Sequence, residues 1–119
     1  MYFEGRQLTE YAEPVSSHDL REGQLYFAVN YIDDEMLIPT METVVFIGRN
    51  LEPGDVGQVY FQDVESHREG VSFDPNTDDG AARFQCGSED ELGHIFDYEH
   101  ALEELMRCSL RHKQRGQLD

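Results

Sequence analysis

The sequence predicts an α+β fold: a small antiparallel, barrel-like sheet of four to six strands with one C-terminal α-helix packed on it. Three observations predict it. Between Gln24 and Arg49, apolar and aromatic side chains return at every second residue. Short runs of the same kind recur through Cys86, separated by turn residues. After Asp97 the period changes to that of a helix. Strands joined by short turns within one compact stretch favour an antiparallel meander, curled or closed into a barrel.

In chain order, Tyr2-Phe3 reads as an edge strand and Leu8 to Ala12 as ordered coil or a short helix, since Pro14 and Ser16-Ser17 oppose a long one. His18 to Gly23 is a turn, with Gly23 suited to positive φ. Leu25, Phe27, Val29 and Tyr31 share one strand face, and Tyr26, Ala28 and Ile32 make the other partly apolar, so cover is expected on both sides. Asp33-Asp34-Glu35 reads as a tight acidic turn, and Met36 to Ile38 as a short returning strand ended by Pro39. Thr43 to Ile47 is the next strand, closed by Gly48, and Pro53-Gly54 marks the following turn. Val59 to Val64 forms another strand and Ser66 to Gly70 a polar turn. Val71 to Phe73 is a short alternating piece, Asp74 to Gly80 an acidic loop, and Arg83 to Cys86 the last strand.

Ser88 to Glu91 has the form of a capping box, but Gly93 limits it to a short turn. Asp97 suits the N-cap of the main helix. Tyr98, Ala101, Leu102, Leu105, Met106 and Ser109 fall on one helical face, and Glu99, Glu103, Glu104 and Arg107 on the other. The first face, with Leu102 and Leu105, is expected to lie against the sheet. Gly116 is the expected stop. Residues 1–111 read as a single domain and 112–119 as a frayed basic tail.

The 119 residues carry 25 Asp and Glu against 9 Lys and Arg, a formal charge of −16. Four of those bases (Arg107, Arg111, Lys113 and Arg115) lie near the C-terminal end, so residues 1–106 hold 24 acids against 5 bases. Nucleic acid and anionic membrane surfaces are excluded as partners on that ground. No apolar run approaches the length of a membrane span, and the start MYFEGRQLTE lacks a basic segment followed by an apolar one. A cytoplasmic location is the expectation. Cys86 and Cys108 then read as free thiols.

Motifs for chemistry are weak. Asp74 to Gly80 resembles the opening of a calcium loop, but an EF-hand needs Gly at position six and Glu at position twelve, where this chain has Asp79 and Gln85. His94, His100 and Cys86 lack a zinc-site spacing, and Cys86 with His94 carries no nucleophile signature. No Gly-rich stretch has phosphate-loop spacing. No catalytic residue, metal ligand or cofactor site is therefore assigned, and the reading favours a non-enzymatic protein. Tyrosines interleaved with acids suit a cationic protein surface, the rings as anchors and the acids as steering charges. The candidate partner-binding residues are Tyr31, Asp33, Asp34, Glu35, Tyr60, Asp63 and Glu65. The expected function is an acidic module that binds a basic protein, as an inhibitor, antidote or adaptor, with a nuclease as the obvious type of target. Two alternatives stay open: a ligand-binding or enzymatic barrel with a pocket between sheet and helix, and a subunit that pairs with itself as a homodimer.

Overall fold

The structure, a computed structural model, describes residues 1–74 and 84–118. β1 (Tyr2–Phe3) and β2 (Arg6–Gln7) form a small hairpin. A 3-10 turn at Ser17–Asp19 leads to β3 (Leu25–Tyr31), β4 (Pro39–Arg49) and β5 (Gln58–Asp63). Then follow the short helix α1 (Val64–Arg68), β6 (Phe84–Ser88), β7 (Ile95–Phe96) and the long helix α2 (Tyr98–Leu118). The five-stranded sheet has the order β6-β5-β4-β3-β7, and every pairing in it is antiparallel.

The sheet is open, not a closed barrel. Closure would need β6 to pair with β7 at the far edge, and β7 has only two residues, both engaged by Phe27 and Ala28 of β3. Strand alternation gives the sheet two different faces. One carries Tyr26, Ala28, Val44, Phe46, Val59 and Phe61, sealed by Leu20, Leu92 and Ile95 from the connecting segments. The other carries Phe27, Val29 and Tyr31 beneath α2, and Val45 and Gln62 on the side of α1. Cover on both sides of β3 is what its two apolar sets require.

Gly23 sits at φ +84° and sends its N–H to Phe46 O at 2.8 Å, which starts the β3–β4 pairing. Gly48 does not close β4; it forms a bulge through which the strand runs on to Arg49. Its φ of +149° lies where L side chains rarely go, and a Cβ there would come within 3.0 Å of Leu51 Cδ2.

Local readings also change. Met36 to Ile38 is not a strand, because the Asp33 carboxylate takes the amides of Leu37 (3.0 Å) and Ile38 (2.8 Å) that a ladder would use. Met36 adopts a left-handed φ of +59°. Pro39 begins β4 rather than breaking it: its pair with Tyr31 is the last of that register, where no ladder donor is needed. β5 stops at Asp63, whose side chain accepts from Ser66 N (2.9 Å) and Ser66 Oγ (2.6 Å) and so starts α1. Val64 and the polar run after it are thus mostly helix, and Val71 to Phe73 pairs with no strand among the described residues. The calcium-like stretch after Asp74 falls outside the described residues.

The largest correction concerns α2. Its sheet-facing side is Ala101, Glu104, Arg107 and Cys108, all buried, while Tyr98 and Leu102 remain 64% and 50% exposed. Glu104 and Arg107 of the charged face point inward, while Glu99 stays exposed, because irregular backbone lies beneath them. Arg107 Nε donates to Thr9 O (3.1 Å), Arg111 Nε donates to Met36 O (2.8 Å), and His112 Nε2 lies 2.6 Å from Leu37 O. Those carbonyls have no ladder partner, and a leucine stripe could not satisfy them. The β1–β2 hairpin takes a neighbouring flank through Arg6, bonded to Glu99 (2.8 Å) and Glu103 (2.9 Å). His112 onward continues the helix to Leu118, past Gly116, with Arg115 paired to Glu35 and Lys113 over the Phe3 ring at 4.8 Å.

Candidate functional site

The tyrosine-and-acid row does not assemble into one surface. Tyr31 and Tyr60 pair with Pro39 and Gly48 of β4. At about 3.3 Å per residue that sets them roughly 25–30 Å apart along the sheet. Tyr60 is only 2% exposed, packed on Phe73 and hydrogen-bonded to Asp55. Burial, then the bond to Asp55, raises its phenol well above the ordinary value. Tyr26, on the opposite face of the sheet, is buried as well, with Arg21 N donating to its hydroxyl at 2.9 Å.

The acids divide in the same way. Asp33 caps its own turn: desolvation works to raise its carboxyl, but the amide bonds from Ile38 and Leu37 prevail and lower it. Glu35 pairs with Arg115, and Asp63 caps α1. Only Asp34 and Glu65, of the five, are exposed and make no ion pair among the described residues. A triplet of acids thus reads as surface charge in sequence, while its first member serves the backbone. The spacing from Asp33 to the free amides of Leu37 and Ile38 was the signal, an Asp ahead of a turn.

What the fold does bring together lies at the β3 end of α2. Tyr31 hydroxyl donates to Glu104 Oε2 and accepts from Arg111 Nη2 at 2.6 Å. Arg111 Nη2 also reaches Glu104 Oε2 at 3.2 Å, and its guanidinium stacks 5.1 Å above the Tyr31 ring. Arg107 Nη1 is 3.9 Å from Glu104 Oε1. Glu104 and Arg107 are 5% and 3% exposed. Burial, reinforced by Glu104 as acceptor and as charge, raises the Tyr31 phenol. Burial opposes the charge on Arg111, but Glu104 and the neighbouring groups outweigh it and raise its value. The cluster is a rigid seam of charge-assisted bonds. The sequence reading puts Tyr31 at a surface site, Glu104 and Arg107 on the helix face opposite the stripe, and Arg111 among the bases near the C-terminal end.

The second feature is the outer flank of α2. Of the stripe the periodicity shows, Ala101 is buried against Val29 and Phe96; Leu105, Met106 and Ser109 are partly buried, and Tyr98 and Leu102 are exposed. At its start the Tyr98 ring meets Phe27 edge-on, with centroids 4.9 Å apart. Met41, paired with Val29 on the same sheet face, is 52% exposed.

Neither feature has the form of a reaction centre. Cys86 is exposed with its Sγ 3.3 Å from Gln58 Oε1, and Cys108 is buried against the carbonyls of Met36 and Leu37; the two are unbridged. The His100 ring contacts Asp97 (2.8 Å) and, more loosely, Glu13 (3.7 Å), which ties it to the helix start. Among the described residues no group of three His, Cys, Asp or Glu is placed to hold a metal ion, and no helix is long and apolar enough to cross a membrane. Comparison with protein-family models, curated proteins and solved structures finds no match to this chain.

Proposed function

We propose that this chain is an acidic, non-enzymatic domain that binds a basic protein, acting as an inhibitor, antidote or adaptor. The carrying observation is an apolar, aromatic-bearing helix flank left open on a body of charge −16. Five of the nine bases are already paired internally: Arg6 to Glu99 and Glu103, Arg107 and Arg111 to Glu104, Arg115 to Glu35 and Lys113 to Glu4. The remaining acids therefore act outward, attracting a cationic surface. Tyr98 and Leu102 supply the desolvated anchor that charge alone lacks. Asp34 and Glu65 keep the steering role, while Tyr31, Asp33, Tyr60 and Asp63 serve the fold. A nuclease remains the obvious target type, because its groove must be positive. A second copy of the chain is a poorer occupant, since two bodies of this charge repel each other.

The test pairs binding with assembly state. Light scattering should find a monomer. A basic protein captured at low salt should be released at high salt and lost to Tyr98→Ala. Asp34→Asn should slow its association without altering the fold. A dimer that Tyr98→Ala dissolves, or a captured partner indifferent to both salt and Tyr98, would sink this reading.

A further inference from the structure

On the other side of α2 a cleft of about 550 Å³ opens between the helix, β3 and residues 10–12. That volume lies in the range of small-molecule sites. Val29, Phe96, Ala12 and Met36 give it an apolar wall, and Tyr31, Glu104, Arg107 and Arg111 converge on it from one end. We infer that this cleft binds a small organic carboxylate: one anionic head toward Arg107 and Arg111, and a flat apolar body against Val29 and Phe96.

The inference rests on charge and on hydrogen-bond satisfaction within the cleft. Two guanidiniums share one dedicated carboxylate. Glu104 lies 3.2 Å from Arg111 and 3.9 Å from Arg107, and its Oε2 also takes the Tyr31 hydroxyl. The next acid, Glu103, is 4.0 Å from Arg107 and is bonded to Arg6 at 2.9 Å. Arg107 donates through Nε and Nη2 to Thr9, but its buried Nη1 has no hydrogen-bond acceptor among the described residues. A buried guanidinium nitrogen left without an acceptor is unusual, and buried charges call for pairing. One further carboxylate beside Arg111 supplies the missing negative charge; Arg107 Nη1, which is enclosed, gains an acceptor only as the side chains over it part. Arginine matches carboxylate geometry better than lysine does, and both cations here are arginines.

The same features limit the ligand. The body is strongly anionic, and Glu10 and His94 also line this cleft. A single carboxylate is compensated locally; a polyphosphate is not. Glu10 is exposed and has no ion pair among the described residues, so its own carboxylate is the intramolecular rival for the position. This site is separate from the protein-binding flank, because Arg107 lies about 140° from Leu102 and about 180° from Tyr98 around the helix.

The test uses benzoate as probe, with benzamide as its neutral isostere and inorganic phosphate as an anion without an apolar body. Benzoate should give saturable shifts in the backbone amide spectrum at Val29 and Phe96 and in the Arg107 Nε–Hε signal. Benzamide and phosphate should not. Arg111→Gln, at a position whose side chain is 27% exposed, should weaken benzoate by about tenfold or more, the usual result of losing a charge-assisted bond. Ala12→Leu, which narrows the cleft without touching the polar cluster, should weaken it comparably and keeps the test alive if Arg111→Gln misfolds. Glu10→Gln should leave benzoate binding intact or tighten it. No saturable response to benzoate, an equal response to benzamide, or benzoate binding unchanged by Ala12→Leu would each overturn the assignment.

Discussion

The two faces of the sheet solve the same problem by different means. On one, Tyr26, Val44, Phe46, Val59 and Phe61 meet Leu20, Leu92 and Ile95, and burial of apolar area does nearly all the stabilising. On the other, α2 crosses the end of β3 and two irregular segments, and lays Glu104, Arg107 and Arg111 over their open carbonyls and the Tyr31 phenol. Regular strands leave no backbone group unpaired, so an apolar lid suffices. Irregular backbone under a lid needs donors, so the lid must be polar. Tyr98 and Leu102 of the α2 apolar stripe are then left outside.

The strongest way to break this comparison is to injure both faces. Phe46→Ala should cost about 3–5 kcal/mol by deleting a fully buried ring. Glu104→Leu should cost a similar 3–5 kcal/mol for another reason: it strands the buried Arg107 without its counterion. The double change Glu104→Leu with Arg107→Met separates the two mechanisms. A charge seam should recover part of the loss when both partners become apolar, whereas adding a second truncation beside Phe46 should only deepen that loss. Chemical denaturation measures all of these, and a double variant at least as unstable as Glu104→Leu alone would show that α2 packs by shape and not by charge.

Much of this was legible in the sequence where side-chain period and backbone hydrogen bonding agree. The alternation of Leu25 to Tyr31 and of Thr43 to Ile47, the Gly23 turn, the Asp97 cap and the start of α2 all follow from local chemistry. Asp97 Oδ1 accepts from His100 N at 2.9 Å. What local pattern could not give was the destination of each face. Nothing in residues 98–111 reveals that Thr9, Met36 and Leu37 would present bare carbonyls to the helix. Without that, the apolar stripe was assigned to the core and Glu104 to solvent. The candidate residues are dispersed for the same reason: Tyr60 and Tyr31 lie on one sheet face, but their hydroxyls are bonded to Asp55 and Glu104. β7 was missed because two residues leave no period to read.

A gentler probe sharpens the comparison with pH. The Tyr31 and Tyr60 phenols are harder to ionise in the folded chain than in the unfolded one. Their contribution is therefore complete below the ordinary phenol value of about 10 and is lost as pH rises past it toward the raised folded values. Stability should fall above about pH 10, by no more than about 1.4 kcal/mol per pH unit for each phenol, and less for Tyr31, which solvent partly screens. Tyr31→Phe should flatten part of that fall, and tyrosinate absorbance near pH 11 should be the same in Tyr31→Phe and the parent. If Tyr31→Phe removes tyrosinate signal at that pH, the phenol is not locked to Glu104.

The smallest expected effect on stability is the most telling. Leu102 has the sequence signature of a core residue, and as one its truncation would cost about 2–5 kcal/mol. It is half exposed on the flank that α2 turns away from the sheet. Alanine is also the better helix former, by a few tenths of a kcal/mol at most. Leu102→Ala should therefore stay within about 0.5 kcal/mol of the parent, as surface substitutions do. Phe46→Ala in the same denaturation series sets the scale of a true core loss. A cost above about 2 kcal/mol at Leu102 would mean that the stripe faces inward and the charged seam does not, which would remove the anchor for a basic partner and the walls of the carboxylate cleft together. A near-zero cost combined with lost partner binding would place Leu102 where the fold has no use for it and the interface does.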